Sequence, residues 1–303
     1  MAFLPLLLVL VLALASAGGT AVVRRSPPSR ESTVAAARRH ARIGATAALA
    51  LGGAASVGTA VVVSLPGTLP APARSGVGVL LVLVAFGVTH AVVLLLAELT
   101  WPRPEGDVRR ARLVRRGPLD AAPRWLLRLT AGAFATGAAV IGLGALLAGP
   151  DGRSFTVTGP GGLSSTASPF AGWSYGGPAA LALAALAAVT LVALRVVAQR
   201  PAVVTAEDRI EAALRRASAH RVLRGSAATA LVLTGGLAGV SGNAVRSAAT
   251  SVALNTDDPG LAATVLPWAG GLVALAGLLA ALGGVVVLTA RAPGVPADEP
   301  ALV

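Results

Sequence analysis

Residues 77–99 read VGVLLVLVAFGVTHAVVLLLAEL and run directly into TWPRP at 100–104. An α-helix rises 1.5 Å per residue, so roughly 20 apolar residues cross a hydrocarbon core about 30 Å thick. This stretch is long enough, and its ionisable side chains are His90 and Glu98 alone. It stops where Pro102 and Pro104 cannot continue a helix. Arg103 at the exit complements the partial negative charge of a helix C-terminus. A long apolar run closed by Arg and then Pro recurs at Arg25 and Pro27, at Arg200 and Pro201, and at Arg291 and Pro293.

Six further segments qualify as spans, giving seven: 2–23, 43–65, 77–99, 126–148, 178–197, 226–245 and 266–290. The fold class expected is all-α, a polytopic transmembrane helix bundle forming one integral membrane domain over 1–303. Composition agrees. The chain is 55% hydrophobic and 13% charged with a mean hydropathy of +0.76, about half the charge of an average soluble domain. The connections, each under about 40 residues, are too short for a soluble domain of their own. There is no Cys, which excludes disulfides, thiolate metal sites and a cysteine nucleophile.

Charge sets the expected orientation. The net charge is +12, and all 25 basic residues are Arg. Three alternate connections and the C-terminal tail hold 22 of these, leaving Arg74, Arg153 and Arg246 on the other side. The positive-inside rule therefore predicts an N-terminus outside and a C-terminus in the cytoplasm. The aromatic belt is expected to comprise Trp101 and Trp125 inside, and Trp173, Tyr175 and Trp268 outside. Ala15-Ser16-Ala17 resembles a signal-peptide cleavage site. However, no basic residue precedes that run, and cleavage would invert every later span against its charges, so an uncleaved span is expected. The location that follows is a bacterial cytoplasmic membrane, crossed many times.

Among the connections, Phe155-Thr-Val-Thr158, Gly159-Pro-Gly-Gly162 and Leu163-Ser-Ser165 predict a small hairpin resting on helix ends. It reads as a connector before a lid. Residues 205–224 read as a helix, with Thr205 and Asp208 as a capping pair, Glu211 and Arg215 as an i, i+4 pair, and Ile210, Leu214 and Ala217 on one face. It is expected to extend the sixth span with solvated charges before it serves as a docking surface. Anionic headgroups are the natural partner of such Arg-rich connections. Nucleic acid is not, because the arginines flank spans and no aromatic stacking platform accompanies them.

The candidate functional residues are His90 and Glu98. His90 is expected near mid-membrane with Thr89 beside it, where an ionisable residue is a functional hypothesis by default. The structural alternative is a neutral imidazole bonded to a carbonyl or to a neighbouring hydroxyl. Glu98, one turn from the inner end, is expected to snorkel or to pair with Arg103 or an Arg opposite. Gly235–Gly239 forms a GxxxG, while Gly52 with Ser56, Ala133 with Gly137 and Ala280 with Gly284 form small-xxx-small pairs. These read as internal packing first and homo-oligomer contacts second. The chain carries no Walker A, HExxH or GxSxG sequence. A dyad of Ser241 with His90 has only the presence of one Ser and one His behind it. His40 and His220 show no metal-ligand spacing. No catalytic residue, cofactor or metal is expected.

Leu99-Thr-Trp-Pro-Arg-Pro104 with Val108-Arg-Arg110, Gly152-Arg-Ser154 and Ser168-Pro-Phe170 resemble the corresponding loops of uncharacterised polytopic membrane proteins of high-GC, actinobacterial-type bacteria. The resemblance covers spans three to five and implies the architecture alone. Such relatives often have a Cys in the outer loop near the position of Thr158, so a loop disulfide does not carry over.

Three function classes follow. The first is an accessory or permease-like subunit acting with a cytoplasmic or membrane partner protein. The second is a secondary transporter or channel using His90. The third, an intramembrane enzyme, is disfavoured by the missing motifs.

Overall fold

The computed structural model describes residues 34–65, 67–68, 71–101, 117–203, 208–256 and 260–295. The expected first span, 2–23, lies outside the described residues, as do Arg103 and Thr205. Six helices follow one another: α1 Val34–Ser64, α2 Ala71–Leu99, α3 Arg124–Leu147, α4 Trp173–Gln199, α5 Asp208–Leu254 and α6 Gly260–Thr289. All six are long and apolar enough to cross a membrane. They coincide with the second to seventh expected spans. Between α3 and α4 stand two short strands, β1 Phe155–Thr158 and β2 Ser164–Ala167.

The helices alternate in direction. The ends of α2, α4 and α6 gather with the starts of α1 and α5 at one end of the bundle, where Ala37, Trp101, Val203, Ile210 and Leu214 pack together. We call this the basic end. The opposite end carries the hairpin. Its Val157 packs on Ala248, Ala249, Val252 and Ala263, so the hairpin is clamped onto α5 and α6. Strand pairing is antiparallel, with Thr156 opposite Thr166 and Thr158 opposite Ser164.

Five helices, α1, α2, α4, α5 and α6, are longer than the spans the sequence predicts. α5 runs unbroken from Asp208, absorbing the cytoplasmic connection into the sixth span. Two of its charges are not solvated as expected: Glu211 and Arg215 are buried, because they satisfy one another and the neighbouring backbone, while Asp208, Arg209 and Arg216 are exposed. α4 and α6 start ahead of Pro178 and Pro267, which lie inside them. Each Pro removes one intrahelical hydrogen bond, which a membrane-spanning helix tolerates.

α5 and α6 form the most extensive helix pair. Their contact is a ladder of small residues repeating every seven positions. A Cβ on Gly284 would come to 2.8 Å from the Ala228 carbonyl oxygen, one on Gly277 to 2.5 Å from that of Gly235, and one on Gly270 to 2.5 Å from that of Gly242. Ala263 closes the series beside Ala249. With no side chain between them, the backbones approach closely and gain dispersion contacts over the whole length. A seven-residue repeat keeps one seam facing the partner. The rest of α6 is open, with Leu272, Leu275, Leu279, Leu282 and Val286 exposed, as suits a lipid-facing surface.

Aromatic and basic side chains mark two levels. At the basic end exposed Trp125 meets the His220 ring edge at 6.1 Å. At the hairpin end Trp173 and Trp268 are exposed, and the Ala171 N–H donates to Ser241 Oγ at 2.9 Å. His220 and Ser241 stand about 31 Å apart along α5 at 1.5 Å per residue, which matches a hydrocarbon core. Two expected members of the belts are buried instead. Tyr175 packs its ring over Gly76, and Trp101 lies under Arg200.

The turn before β1 is organised by Asp151. Its Oδ1 accepts the Arg153 N–H at 3.0 Å, the Ser154 N–H at 3.1 Å and the Ser154 hydroxyl at 2.8 Å. The Arg153 backbone N–H, followed by the Ser154 hydroxyl, holds this carboxyl below its usual range. A lowered carboxylate pKa stabilises the fold above its ordinary value and loses that contribution as pH falls through the folded value.

Two predictions follow from this architecture. Gly277→Val should destabilise the protein by about 1–3 kcal/mol or more through overpacking. Gly283→Ala, whose Cβ meets nothing within 4 Å, should stay within about 0.5 kcal/mol. Thermal unfolding in detergent measures both, and equal effects would contradict the ladder. For the turn, acidification below pH 3.8 should increase protease cleavage at 151–158, and Asp151→Asn should remove that pH step.

Candidate functional site

α5 leaves the basic end with eight ionisable residues between Asp208 and Arg224, among them Glu211, Arg215, Arg221 and Arg224. Glu211 and Arg215 are one turn apart, and Arg215 Nε donates to Glu211 Oε1 at 2.8 Å. The Arg215 guanidinium also donates to the carbonyls of Val197, Ala198 and Arg200 at 3.3, 2.6 and 2.7 Å. These are the last carbonyls of α4, which have no partner within their own helix. Glu211 Oε2 accepts the Val203 N–H at 3.0 Å, fixing the backbone between α4 and α5.

Arg200 joins this pair to α2. Its Nε lies 3.2 Å from Glu98 Oε2, and its Nη2 lies 3.3 Å from Glu211 Oε1. Its N–H groups are not aligned on these oxygens as hydrogen bonds, because the guanidinium is stacked 4.6 Å over the Trp101 ring. Trp101 Nε1 donates to Glu98 Oε2 at 3.0 Å. The result is a charge-balanced latch of two carboxylates and two guanidiniums, all four residues less than 9% exposed. The structure thus pairs Glu98 with an Arg opposite, Arg200, and buries it where snorkelling was the alternative.

His90 is not part of the latch. It sits against Gly225 of α5, where a Cβ would overlap the imidazole, and stacks on Phe86 at 5.7 Å. Gly225 is therefore a partner that the sequence reading missed; its signal was a lone glycine inside a helical stretch. Gly225 is next to Arg224, which reaches the Ala290 carbonyl at 2.7 Å. Gly225 is five residues, about 7.5 Å along α5, from His220 at the Trp125 level. Its Nδ1 has no hydrogen-bond partner, unlike the expected bond to a carbonyl or hydroxyl. Of the nearby hydroxyls, Thr190 and Ser226 share a 2.6 Å hydrogen bond and Ser226 donates to the Val222 carbonyl at 3.0 Å, while that of Thr89 has no partner.

Ser241 is at the hairpin end, about 24 Å along α5 from Gly225 at 1.5 Å per residue, so it forms no dyad with His90. His40 accounts for itself by bonding the Ala97 carbonyl at 3.0 Å. Among the described residues no three His, Cys, Asp or Glu side chains converge as metal ligands. A cleft between α1, α2 and α5 lies beside Glu98, Ser218 and Arg221, with room for about one water molecule.

Compared with protein-family models, curated proteins and solved structures, the chain matches none of them.

The latch predicts a specific mutational pattern. Arg215→Ala should destabilise the protein by about 3–5 kcal/mol, since it leaves Glu211 buried and the α4 carbonyls bare. The double variant Glu211→Leu/Arg215→Met should recover much of that loss, because Arg200 keeps Glu98. Unfolding in detergent completes the double-mutant cycle, and simple additivity would show that the two residues do not act as a unit.

Proposed function

We propose that the chain is a non-enzymatic subunit of a bacterial cytoplasmic membrane, accessory or permease-like, that acts with a partner protein. In this reading the basic end faces the cytoplasm, as the positive-inside rule requires. One observation carries it: the ionisable side chains nearest the membrane interior are engaged in holding helices together. Glu98 is closed into the latch, His90 is wedged against Gly225, and the cleft beside them admits about one water. Arg39, Arg42, Arg209, Arg216 and Arg291 are exposed at the basic end and offer a surface to an acidic partner.

A second reading, transport through His90, draws on a different observation. The Thr89, Thr229 and Thr234 hydroxyls are buried and without hydrogen-bond partners, as in a polar file awaiting a solute.

Gentle extraction from native membranes with quantitative mass spectrometry separates the two. A stoichiometric partner should accompany the protein, persist with His90→Leu, and be lost with Arg209→Glu/Arg216→Glu but not with Arg246→Glu. Purification of the protein alone, together with solute flux into reconstituted vesicles that His90→Leu abolishes, would overturn the accessory reading in favour of transport.

A further inference from the structure

The latch balances its own charges, but the next two turns of α5 do not. Arg221 and Arg224 add two cations, and among the described residues Glu98 is the sole carboxylate lining the crevice that Arg221 occupies. That carboxylate already accepts Trp101 and contacts Arg200. Arg221 itself has neither an aligned hydrogen bond nor a carboxylate within 4 Å; Glu98 is its longer-range electrostatic partner. A half-buried cation of this kind calls for a counter-ion.

The unpartnered buried polar atoms point the same way. Every one of them belongs to a hydroxyl, an imidazole or a guanidinium, and none is a carboxylate oxygen. Ser218 is 3% exposed, its Oγ has no partner, and it lines the same crevice as Arg221. A guanidinium only donates and the Ser218 hydroxyl can donate beside it, so one anionic oxygen would accept from both.

Position identifies the class of anion. Ser218 and Arg221 flank His220, which touches the Trp125 belt, so the crevice stands at the headgroup level of one leaflet. Its α1 wall is Ala41, Gly44 and Ala45, and exposed Leu49 follows one turn on along α1, where an acyl chain would lie. The space admits one oxygen-sized atom. Glu98 in the wall favours a singly charged phosphodiester over free phosphate, which carries nearly two charges at neutral pH.

We propose that the crevice between α1, α2 and α5 binds the phosphodiester of one anionic phospholipid, one phosphoryl oxygen entering to Arg221 and Ser218 Oγ. The site is independent of whether a protein partner binds.

The test uses the full-length protein reconstituted with phosphatidylglycerol or phosphatidylcholine, followed by native mass spectrometry of retained lipid. Wild type should retain one phosphatidylglycerol in preference to phosphatidylcholine. Arg221→Gln should weaken retention roughly tenfold, as expected for loss of one charge-assisted hydrogen bond. Ser218→Ala, a minimal change that leaves the fold intact, should weaken it less. Arg209→Gln, on an exposed position of α5, should leave it unchanged. Equal retention by Arg221→Gln and Arg209→Gln would overturn the proposal by showing diffuse headgroup attraction. Full displacement by millimolar inorganic phosphate would overturn it in favour of a free anion.

Discussion

Helices that end side by side bring their unpaired carbonyls together, and this constraint organises the basic end. α2, α4 and α6 all terminate there, each leaving its last carbonyls without intrahelical partners. In each case a side chain from an ascending helix supplies the donor. His40 of α1 reaches the Ala97 carbonyl, Arg215 of α5 reaches those of Val197, Ala198 and Arg200, and Arg224 of α5 reaches that of Ala290. The donors are cations or imidazole, which also suits the negative end of the helix dipole. Burying Arg215 for this purpose requires a carboxylate beside it. Glu211 meets that need and draws in Arg200, which in turn is held by Glu98 and Trp101. The latch is thus a consequence of capping: once the caps are buried, the charges must be balanced.

The same argument explains why α5 is one continuous helix of 47 residues. Its first half works by charge and its second half by absence of side chains. From Ala228 to Ala249 the contact with α6 depends on small residues at every seventh position, and no polar group holds that pair together. Apolar burial gives little advantage between helices surrounded by lipid, so close backbone approach has to supply the attraction. At the basic end, where headgroups and water begin, directional polar contacts take over. A break between the halves would let the ladder slide relative to the caps. At Gly225, at the junction, His90 occupies the place that a Cβ would take.

The sequence made the helices legible, and the reason is physical: twenty apolar residues in a row have few other uses, and α1 to α6 all fall on expected spans. The hairpin was legible as well, from Thr and Val alternating around Gly159 to Gly162. Helix ends were harder. Pro178 and Pro267 look like starts, yet both lie inside helices, because a membrane-spanning helix tolerates the loss of one hydrogen bond. The Glu211–Arg215 pair was visible as a spacing, but its burial was not, since burial depends on Arg200 and Val203 arriving from another helix. The exiting Arg200 looked like the cap of its own helix. Arg215 performs that role instead, because a guanidinium approaching from a neighbouring helix can face the carbonyls head-on.

Register between helices changes what an ionisable residue in a span signifies. In hydrocarbon such a residue calls for a functional explanation, because its desolvation is otherwise uncompensated. Glu98 shares a crevice with Ser218 and Arg221, which flank the Trp125 level, and His90 stands beside Gly225, just within it. Glu98 therefore stands at the Trp125 level, while His90 is about 7.5 Å further along α5. Counted along α2 alone, His90 is central. Counted along α5, whose Arg224 meets the end of α6 at Ala290, it lies closer to the basic end than to the hairpin end. The second count is the relevant one, because neighbouring helices and their charged ends, rather than sequence position within one apolar run, determine how deeply a side chain is desolvated.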